Sequence, residues 1–473
     1  MAVHIKQVER HMSNTDGLNR RTFLRNAGMT AIVGAAGLGT SCSTPAATPA
    51  AAPPPAPEGS MKFDFDTPYV CMGFDSSKWD GVQAMYPNDK ILNGMGTADM
   101  DFRAAPCITA ALAERAKHEN WGYYTIPNKL YEAIANYNKR RYNLDIDPKT
   151  IQLLTGVHAG LIAAIQTFAP PGTRVLLLTP AYSGFYGDIT FTHTVKEECL
   201  MPFSNGQYTI DFDAFDKAAS RSNVFIMCNP HNPTGNNWSA ADCLRLGEIC
   251  LKHKVVVLSD EIHCDFMAKG QKYTPWATLP NKDVVNNSLT FKSTSKSFGM
   301  PGQKCAWYFS TNPDYMTRVR ANTRADISTF GAVSAMAALT EGEPWLDALL
   351  PYIDGNQDFA HQFIKANFGP LVKETTRAEG TYLLWLDVSG LIQKINAKKL
   401  AEDKTKAMGG GTIVTPTMIV NDWFVHNAHV HLNPGSSYGL GGEEKIRVNL
   451  AESRKMLEQA LTNMAAALKT VST

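Results

Sequence analysis

The sequence predicts an α/β fold in which helices cover a mostly parallel β-sheet, with a smaller α+β domain beside it. Three observations indicate this class: short apolar runs that end in polar or turn residues, helical patterns between those runs, and a different pattern in the C-terminal part. Strands of a parallel sheet read as continuous apolar runs because both of their faces are covered.

The strands predicted for the large domain end beside residues that can carry chemistry. The runs and their endings are 175–178 with Thr179-Pro180, 224–227 with Asn229-Pro230, and 255–258 with Ser259-Asp260. A helix at 240–253, with Ser239 as its N-cap, is predicted between the second and third of these motifs. Because the carboxyl ends of parallel strands meet at one edge of a sheet, we expect functional residues at that edge.

The domain boundaries follow from changes in pattern along the 473 residues. We expect a large domain at 105–345, and a small domain built from 61–104 and 346–473. Strands at 380–386 and 447–450 and helices at 351–368 and 453–468 are predicted within the small domain. Residues 43–60 are rich in Pro and Ala and are expected to form a linker.

The N-terminal 42 residues have the pattern of an export signal. The letters N-R-R-T-F-L-R at 19–25 resemble a twin-arginine signal, and a small-residue apolar run follows at 27–39. This run is too short for a membrane-spanning helix. The pattern predicts export to the periplasm. A lipid anchor at Cys42 is an open alternative, although Gly39 stands where a larger aliphatic residue is usual.

The overall charge favours a small metabolite as the partner. Lys and Arg number 45 against 44 Asp and Glu, for a formal net charge of +1. Such a balance gives no electrostatic reason to expect a nucleic acid or an anionic membrane as a partner. The nine cysteines include no C-x-x-C pair and have no histidine cluster at zinc spacing. We therefore predict no metal site, and expect most of the cysteines to be small buried apolar residues.

Three motifs follow predicted strands in an order typical of one enzyme family. They are N-P-H-N-P-T-G at 229–235, S-D-E-I-H at 259–263 and S-T-S-K-S-F-G at 293–299. The spacing is 28 positions from Asn232 to Asp260 and 36 from Asp260 to Lys296. Together they resemble the class I/II aminotransferase superfamily of pyridoxal 5′-phosphate (PLP) enzymes, over nearly all of 61–468. The resemblance implies the PLP-dependent transferase fold, type I.

The resemblance also implies roles at the cofactor ring and at the substrate. Lys296 would join the cofactor aldehyde as a Schiff base and move the proton on Cα. Asp260 would pair with the pyridine nitrogen. Asn232 would bond the ring oxygen, and Tyr182 would stack on the ring. Arg447 would hold the α-carboxylate of the amino acid substrate.

A second set of residues is expected around the cofactor phosphate. The backbone amides of Val157 and His158 would bind it at the start of a helix. Further candidates are the hydroxyls of Ser293 and Ser295, the amine of Lys304 (where the family usually has arginine), and Tyr124 from the partner subunit of a homodimer.

Several stretches resemble one branch of the superfamily, the cystathionine β-lyase-like branch typified by MalY and PatB. They are A-D-M-D-F at 98–102, W-G-Y-Y at 121–124, His231, and His263 in D-E-I-H. Many aminotransferases have tyrosine at the position of His263. A histidine there can also donate to the ring oxygen, but it is expected to titrate near neutrality and so to tune the ring differently.

The reaction type stays open at this stage, and the sequence favours transamination with a keto-acid acceptor. The segment 295–304 follows the aminotransferase pattern and departs from that of the lyases. The alternative is β-elimination from a cysteine conjugate, giving a thiol, pyruvate and ammonia. A second alternative is a sensor that keeps the fold without catalysis.

Overall fold

The computed structural model describes residues 63–374 and 377–472, which all belong to one compact unit. Its strands are β1 (Asn93–Gly94), β2 (Gln152–Leu154), β3 (Arg174–Thr179), β4 (Val195–Leu200), β5 (Phe203–Ser204), β6 (Gln207–Tyr208), β7 (Val224–Cys228), β8 (Val256–Asp260), β9 (Ser288–Ser293), β10 (Ala306–Phe309), β11 (Lys373–Glu374), β12 (Leu383–Asp387), β13 (Val430–His431), β14 (Asn433–Pro434) and β15 (Lys445–Asn449).

The α-helices cover both the central sheet and the C-terminal part. They are α1 (Asp80–Met85), α2 (Pro106–Ala116), α3 (Asn128–Tyr142), α4 (Val157–Phe168), α5 (Ser183–Phe191), α6 (Phe212–Ala219), α7 (Ala240–Lys252), α8 (Lys282–Asn286), α9 (Thr294–Ser297), α10 (Pro313–Asn322), α11 (Thr329–Glu341), α12 (Glu343–Asn367), α13 (Ser389–Lys394), α14 (Ala397–Ala407), α15 (Pro416–Ala428) and α16 (Arg454–Ser472).

The central sheet has seven strands in the order β2-β10-β9-β8-β7-β3-β4. All neighbours are parallel except β10, which runs antiparallel to both β2 and β9. The predicted α/β class with a mostly parallel sheet is therefore confirmed. Strands β7, β8 and β9 are buried along their whole lengths, which explains the apolar runs that form β7 and the first part of β8.

Side chains of β3 alternate between two separate apolar cores. Val175 and Leu177 pack in one core, and Leu176 and Leu178 pack in the other. Successive strand residues point to opposite faces of a sheet, so both faces of the central sheet are covered. This arrangement leaves the edge at the strand ends as the place where polar side chains can gather.

Ala306 fixes the relation between two of these strand ends. On β10 it lies in register with Leu154, the last residue of β2, and with Ser293, the last residue of β9. Because β2 and β9 both run antiparallel to β10, they end at the same edge of the sheet. The starts of α4 and α9 are therefore brought to one place.

The C-terminal part contains a four-stranded sheet in the order β11-β12-β15-β14. The predicted strands at 380–386 and 447–450 correspond to β12 and β15. The helix predicted at 351–368 begins earlier, at Glu343, and keeps Pro351 inside it, so Pro351 does not mark its start. Strand β1 pairs with β13. The division into domains at 105–345 and at 61–104 with 346–473 stays a prediction.

Helix α7 begins as its sequence predicts. The Ser239 side chain accepts the backbone N–H of Asp242 at 3.1 Å, and the Asp242 carboxylate accepts the backbone N–H of Ser239 at 3.3 Å. This reciprocal pair satisfies two of the free amides at the helix start.

The expected export signal at 1–42, Cys42 and the linker at 43–60 lie outside the described residues. Within the ranges that the structure covers, no helix is long and apolar enough to cross a bilayer. Eight cysteines fall in these ranges, all with free thiols, and six of them are buried. Most cysteines are thus small core residues, as expected.

Candidate active site

Asp260 and Lys296 lie at the ends of adjacent parallel strands. Asp260 is the last residue of β8 and pairs in register with Phe291 of β9. Lys296 lies in the one-turn helix α9, directly after β9. Because the two strands are buried and parallel, their carboxyl ends bring these two side chains to the same edge of the sheet.

The Asp260 carboxyl group is buried, and it forms no ion pair with any residue that the structure describes. The Asp260 Oδ1 accepts a hydrogen bond from the backbone N–H of Ile262 at 3.2 Å. Burial raises the pKa of Asp260 to about 7, because a low-dielectric surrounding disfavours the charged form. A buried carboxyl group of this kind fits a ligand that supplies a positive charge.

The Lys296 amine is held in a partly buried position. Its Nζ donates to the backbone carbonyl of Ala98 at 2.5 Å. Burial, together with the charge of nearby Arg447, lowers the pKa of Lys296 to about 8. A larger fraction of the amine is therefore neutral near pH 8 than for an ordinary lysine, and the neutral amine is the form that attacks a carbonyl.

Arg447 and Asn232 are joined by a hydrogen bond between two sheets. Arg447 lies on β15, and its Nη1 donates to the Asn232 Oδ1 at 3.1 Å. Its Nη2 donates to the carbonyl of Gly96 at 2.8 Å, while its Nε has no partner in the described chain. Both side chains are buried. The Asn232 oxygen is occupied by Arg447, so its amide Nδ2 stays available to donate to a ring oxygen.

The segment 96–99 supplies backbone acceptors to both cationic side chains. Besides accepting from Lys296, the Ala98 carbonyl accepts the Tyr382 hydroxyl at 3.1 Å. The Asp99 carbonyl accepts from Lys78 at 2.9 Å and from Asn449. Lys78 also forms a buried ion pair with Asp101, at 2.7 Å. This network fixes the segment against β12 and β15.

The residues expected at the phosphate occupy different environments. Val157 and His158 are the first two residues of α4, as predicted. The Ser293 Oγ accepts the Ser295 backbone N–H at 3.0 Å and lies 2.8 Å from the carbonyl of Cys305. Ser293 therefore caps the turn that carries Lys296, and of the two serines only Ser295 is partly exposed.

Among the described residues, no contact brings Lys304 or Tyr124 to the rest of the site. The Lys304 side chain is exposed and forms no hydrogen bond or ion pair with the described residues. The Tyr124 ring is half-buried against the apolar core. Its predicted contact with the phosphate of a partner subunit stays a prediction.

Tyr182 and His263 lie in the same region. The Tyr182 ring is 5.7 Å from that of His158, and the His263 ring meets Tyr382 edge-on at 5.8 Å. Burial, together with the charges of Lys296 and Arg447, holds the pKa of His263 well below its usual value. The imidazole is therefore neutral, in contrast to the expectation that it titrates near neutrality.

Four residues of the site were not identified from sequence. Tyr382, Lys78 and Asn449 act through the carbonyls of segment 96–99, and Asp188 binds His158. The A-D-M-D-F letters drew attention to that segment, but backbone acceptors leave no side-chain signal. The described residues contain no group of three or more His, Cys, Asp or Glu that could hold a metal ion.

The chain matches known proteins over most of its length. The family model described as aminotransferase class I and II matches residues 90–464. Cystathionine β-lyase PatB of Bacillus subtilis (strain 168) is 34% identical over 417 residues, which cover 86% of this chain and 100% of PatB.

Solved structures that contain PLP are also similar. One, from Clostridium difficile 630 and described provisionally as an aminotransferase, has a TM-score of 0.77 and 30% identity, covering 86% of this chain and 100% of its own. The C–S lyase of Staphylococcus hominis has a TM-score of 0.76 and 26% identity, covering 86% and 98%.

Proposed function

This chain belongs to the aminotransferase class I and II family and is a PLP-dependent enzyme, and we propose that it eliminates a thiol from the β-carbon of a cysteine conjugate such as cystathionine. The observation that carries the proposal is the 34% identity to PatB, a cystathionine β-lyase, over the whole of that protein. The sequence alone favoured transamination from the segment 295–304. We give more weight to the similarity to PatB over 417 residues than to the aminotransferase pattern in a segment of ten residues.

The proposed reaction consumes one water and releases three products. The Cβ–S bond of the substrate breaks, and the sulfur leaves with the bonding electron pair and takes up a proton. Hydrolysis of the remaining three-carbon fragment gives pyruvate and ammonia. No keto acid is needed, which separates this reaction from transamination.

The residues of the site fit PLP and a substrate with an α-carboxylate. PLP, when bound, supplies an aldehyde for the lysine amine and a ring that takes up the electrons released at Cα. Asp260 would hold the pyridine nitrogen protonated, and the Asn232 amide would donate to the ring oxygen. Within the described chain, the Asp260 carboxyl group has no cationic partner, and the Asn232 amide nitrogen has no acceptor.

Two basic side chains would act on the substrate. The guanidinium of Arg447, with its unpaired Nε–H, would hold the α-carboxylate as a fork. The Lys296 amine would then take the proton from Cα and carry it towards the leaving sulfur. The lowered pKa of Lys296, about 8, suits a group that must accept a proton near neutral pH.

Transamination is the second candidate. Two observations favour it: the aminotransferase pattern of 295–304, and the similarity to the Clostridium difficile structure. In that reaction the proton removed by Lys296 would return to the cofactor, and a keto acid would accept the amino group. The non-catalytic sensor has no such support, since the relatives named above are enzymes.

One pair of assays decides between the two reactions. The purified holoenzyme is incubated with cystathionine alone, and separately with a panel of amino donors plus 2-oxoglutarate. We expect thiol and pyruvate in equal amounts without any keto acid. Amino transfer that depends on 2-oxoglutarate, without thiol release, would overturn the β-lyase and establish the aminotransferase.

We also propose that the enzyme is exported to the periplasm through its twin-arginine segment. Arg20-Arg21 and the apolar run at 27–39 support this. Fractionation of cells that express the full chain should place the enzyme in the periplasm, and a variant with both Arg20→Lys and Arg21→Lys should remain in the cytoplasm. Mass spectrometry of the mature N-terminus would reveal a lipid at Cys42. If the wild type and the double-lysine variant were distributed equally between periplasm and cytoplasm, export by this route would be refuted.

A homodimer is proposed from the family resemblance, with Tyr124 completing the neighbouring subunit's phosphate site. Sedimentation should give twice the chain mass. A mixture of inactive Tyr124→Phe and Lys296→Ala chains should recover activity, because one of the two sites in a mixed dimer then has both residues intact. Lack of recovery in a confirmed mixed dimer would contradict the shared site.

A further inference from the structure

His158 and Asp188 form an ion pair beside the candidate active site. The His158 Nδ1 lies 2.7 Å from the Asp188 Oδ2. The Asp188 side chain is buried, whereas that of His158 is 47% exposed. Since Nδ1 is taken up by the carboxylate, Nε2–H is the donor that the ring can offer to a ligand.

Helix α5 is shaped to receive this imidazole. Gly184 and Asp188 are four residues apart and lie on one face of the helix. A Cβ at Gly184 would lie 2.5 Å from the His158 Cε1 and 2.9 Å from its Nε2. The missing side chain at Gly184 therefore makes the notch that the imidazole occupies.

The buried carboxylate favours the protonated ring. Asp188 has no other ion-pair partner in the described chain, and an unpaired buried carboxylate is costly. The hydrogen bond to Asp188 correspondingly raises the pKa of His158, against the opposing effect of burial. The pair thus favours an imidazolium whose exposed side faces the site, while its counter-charge on Asp188 is buried.

The position of His158 indicates what this charge faces. His158 is the second residue of α4, and the free backbone amides at the start of this helix favour an anion. Ala306 aligns the end of β2 before α4 with the end of β9 before Lys296. The His158 ring also lies 5.7 Å from that of Tyr182, the ring expected to stack on the cofactor.

We propose that the imidazolium of His158, held by Asp188 in the notch at Gly184, donates a charged hydrogen bond to the phosphate of PLP. The inference rests on the assignment of the cofactor to this site. It adds a cation at a phosphate for which the sequence offered only Lys304, whose side chain is exposed and unpaired within the described chain.

The experiment compares two ligands that differ only in the phosphate. Apoenzyme is titrated with PLP and with pyridoxal, and both dissociation constants are measured by absorbance. The variants are His158→Ala, His158→Gln, which keeps a neutral donor, and the double variant His158→Ala with Asp188→Asn, which leaves no unpaired buried charge. His426→Ala is the matched control, since His426 forms an exposed pair with Asp89 at 3.0 Å.

We expect His158→Ala to weaken PLP binding by about 10- to 100-fold, as for loss of a charged hydrogen bond. Pyridoxal binding should change less than about twofold, a change too small to reflect loss of a hydrogen bond. His158→Gln should lie between the wild type and His158→Ala, and the double variant should match His158→Ala. The His426→Ala control should bind both ligands normally.

Two results would overturn the inference. Equal weakening of PLP and pyridoxal would mean that His158 acts on the ring or on Asp260, and unchanged PLP binding would mean that the pair is structural. Borohydride reduction followed by mass mapping of the Lys296 peptide keeps the two proposals apart. If the wild type forms no adduct at Lys296, the site assignment itself fails.

Discussion

Arg447 donates its Nη1–H to the Oδ1 of Asn232 at 3.1 Å, and this bond joins β15 of the four-stranded sheet to the turn after β7 of the central sheet. The residue expected to hold the substrate therefore also orients the amide expected to hold the cofactor ring. Changes at either residue should be felt at the other, because contacting residues are energetically coupled.

Lys296→Ala should lose the cofactor linkage and the proton transfer at Cα together. General-base catalysis contributes about 10²- to 10⁴-fold, so we expect thiol release to fall at least that far and the borohydride-reducible adduct to disappear. Lys399→Ala is the control, because Lys399 forms an exposed pair with Asp403 at 2.6 Å. Normal turnover in Lys296→Ala would remove the basis of the proposed function.

Arg447→Lys should impair substrate binding although it keeps the charge. A lysine has no planar fork for a carboxylate, and it would also release Asn232 and Gly96. We expect kcat/KM for cystathionine to fall by about 10- to 100-fold, mainly through KM. Arg318→Lys, on an exposed arginine paired with Asp314, should behave as wild type. An unchanged KM in Arg447→Lys would contradict the assigned role.

The pH dependence of apoenzyme stability should report the Asp260 carboxyl group. Its pKa is raised from 3.8 to about 7 by burial, so between these values the folded chain keeps a proton that the unfolded chain has lost. The stability of the apoenzyme should therefore fall as the pH rises from about 4 to 7 and level off above that.

Asp260→Asn removes this effect. Apo-Asp260→Asn should be more stable than the wild-type apoenzyme at pH 8, by up to about 4 kcal/mol, and nearly equal to it near pH 4. Thermal midpoints at both pH values measure the difference. With PLP bound, a cation faces the carboxylate and the advantage of the variant should vanish. A constant difference across the pH range would argue against a raised pKa.

Two glycines of α5 offer a matched test of the notch that holds His158. A Cβ at Gly184 would collide with the rings of His158 and Tyr182, whereas a Cβ at Gly187 meets nothing within 4 Å. Gly187→Ala should leave PLP binding unchanged and stabilise the helix by up to about 1 kcal/mol.

Gly184→Ala should displace the imidazole from Asp188. We expect PLP binding to weaken by about tenfold or more, and the pKa of His158, followed by NMR, to fall towards its ordinary value because the bond to Asp188 is lost. If both variants bind PLP equally well, the notch does not control the position of His158.

The sequence predicted strands β3, β7 and β8 of the central sheet because they are buried on both faces, which leaves apolar runs in the chain. It placed Asp260 and Asn232 at the ends of β8 and β7 for the same reason. It misplaced the start of α12, because a proline is compatible both with a first turn and with the interior position that Pro351 occupies.

The partners of the charged side chains could not be predicted. The Gly96 and Ala98 carbonyls, which accept from Arg447 and Lys296, lie 351 and 198 residues away in the chain. Backbone acceptors look alike in a sequence. The neutral state of His263 likewise comes from burial and from two cations contributed by other elements.

By itself, then, the sequence determined five of the strands, the functional residues that follow them and the family, because apolar runs and short motifs are local properties of the chain. Only the tertiary structure decided that Ser293 caps the turn that carries Lys296 and that Gly184 leaves room for His158. It also decided that Asp188 raises the pKa of the His158 imidazole. Such contacts depend on how strands and helices distant in sequence are packed together, since hydrogen bonds and pKa values respond to distances of a few ångströms between them.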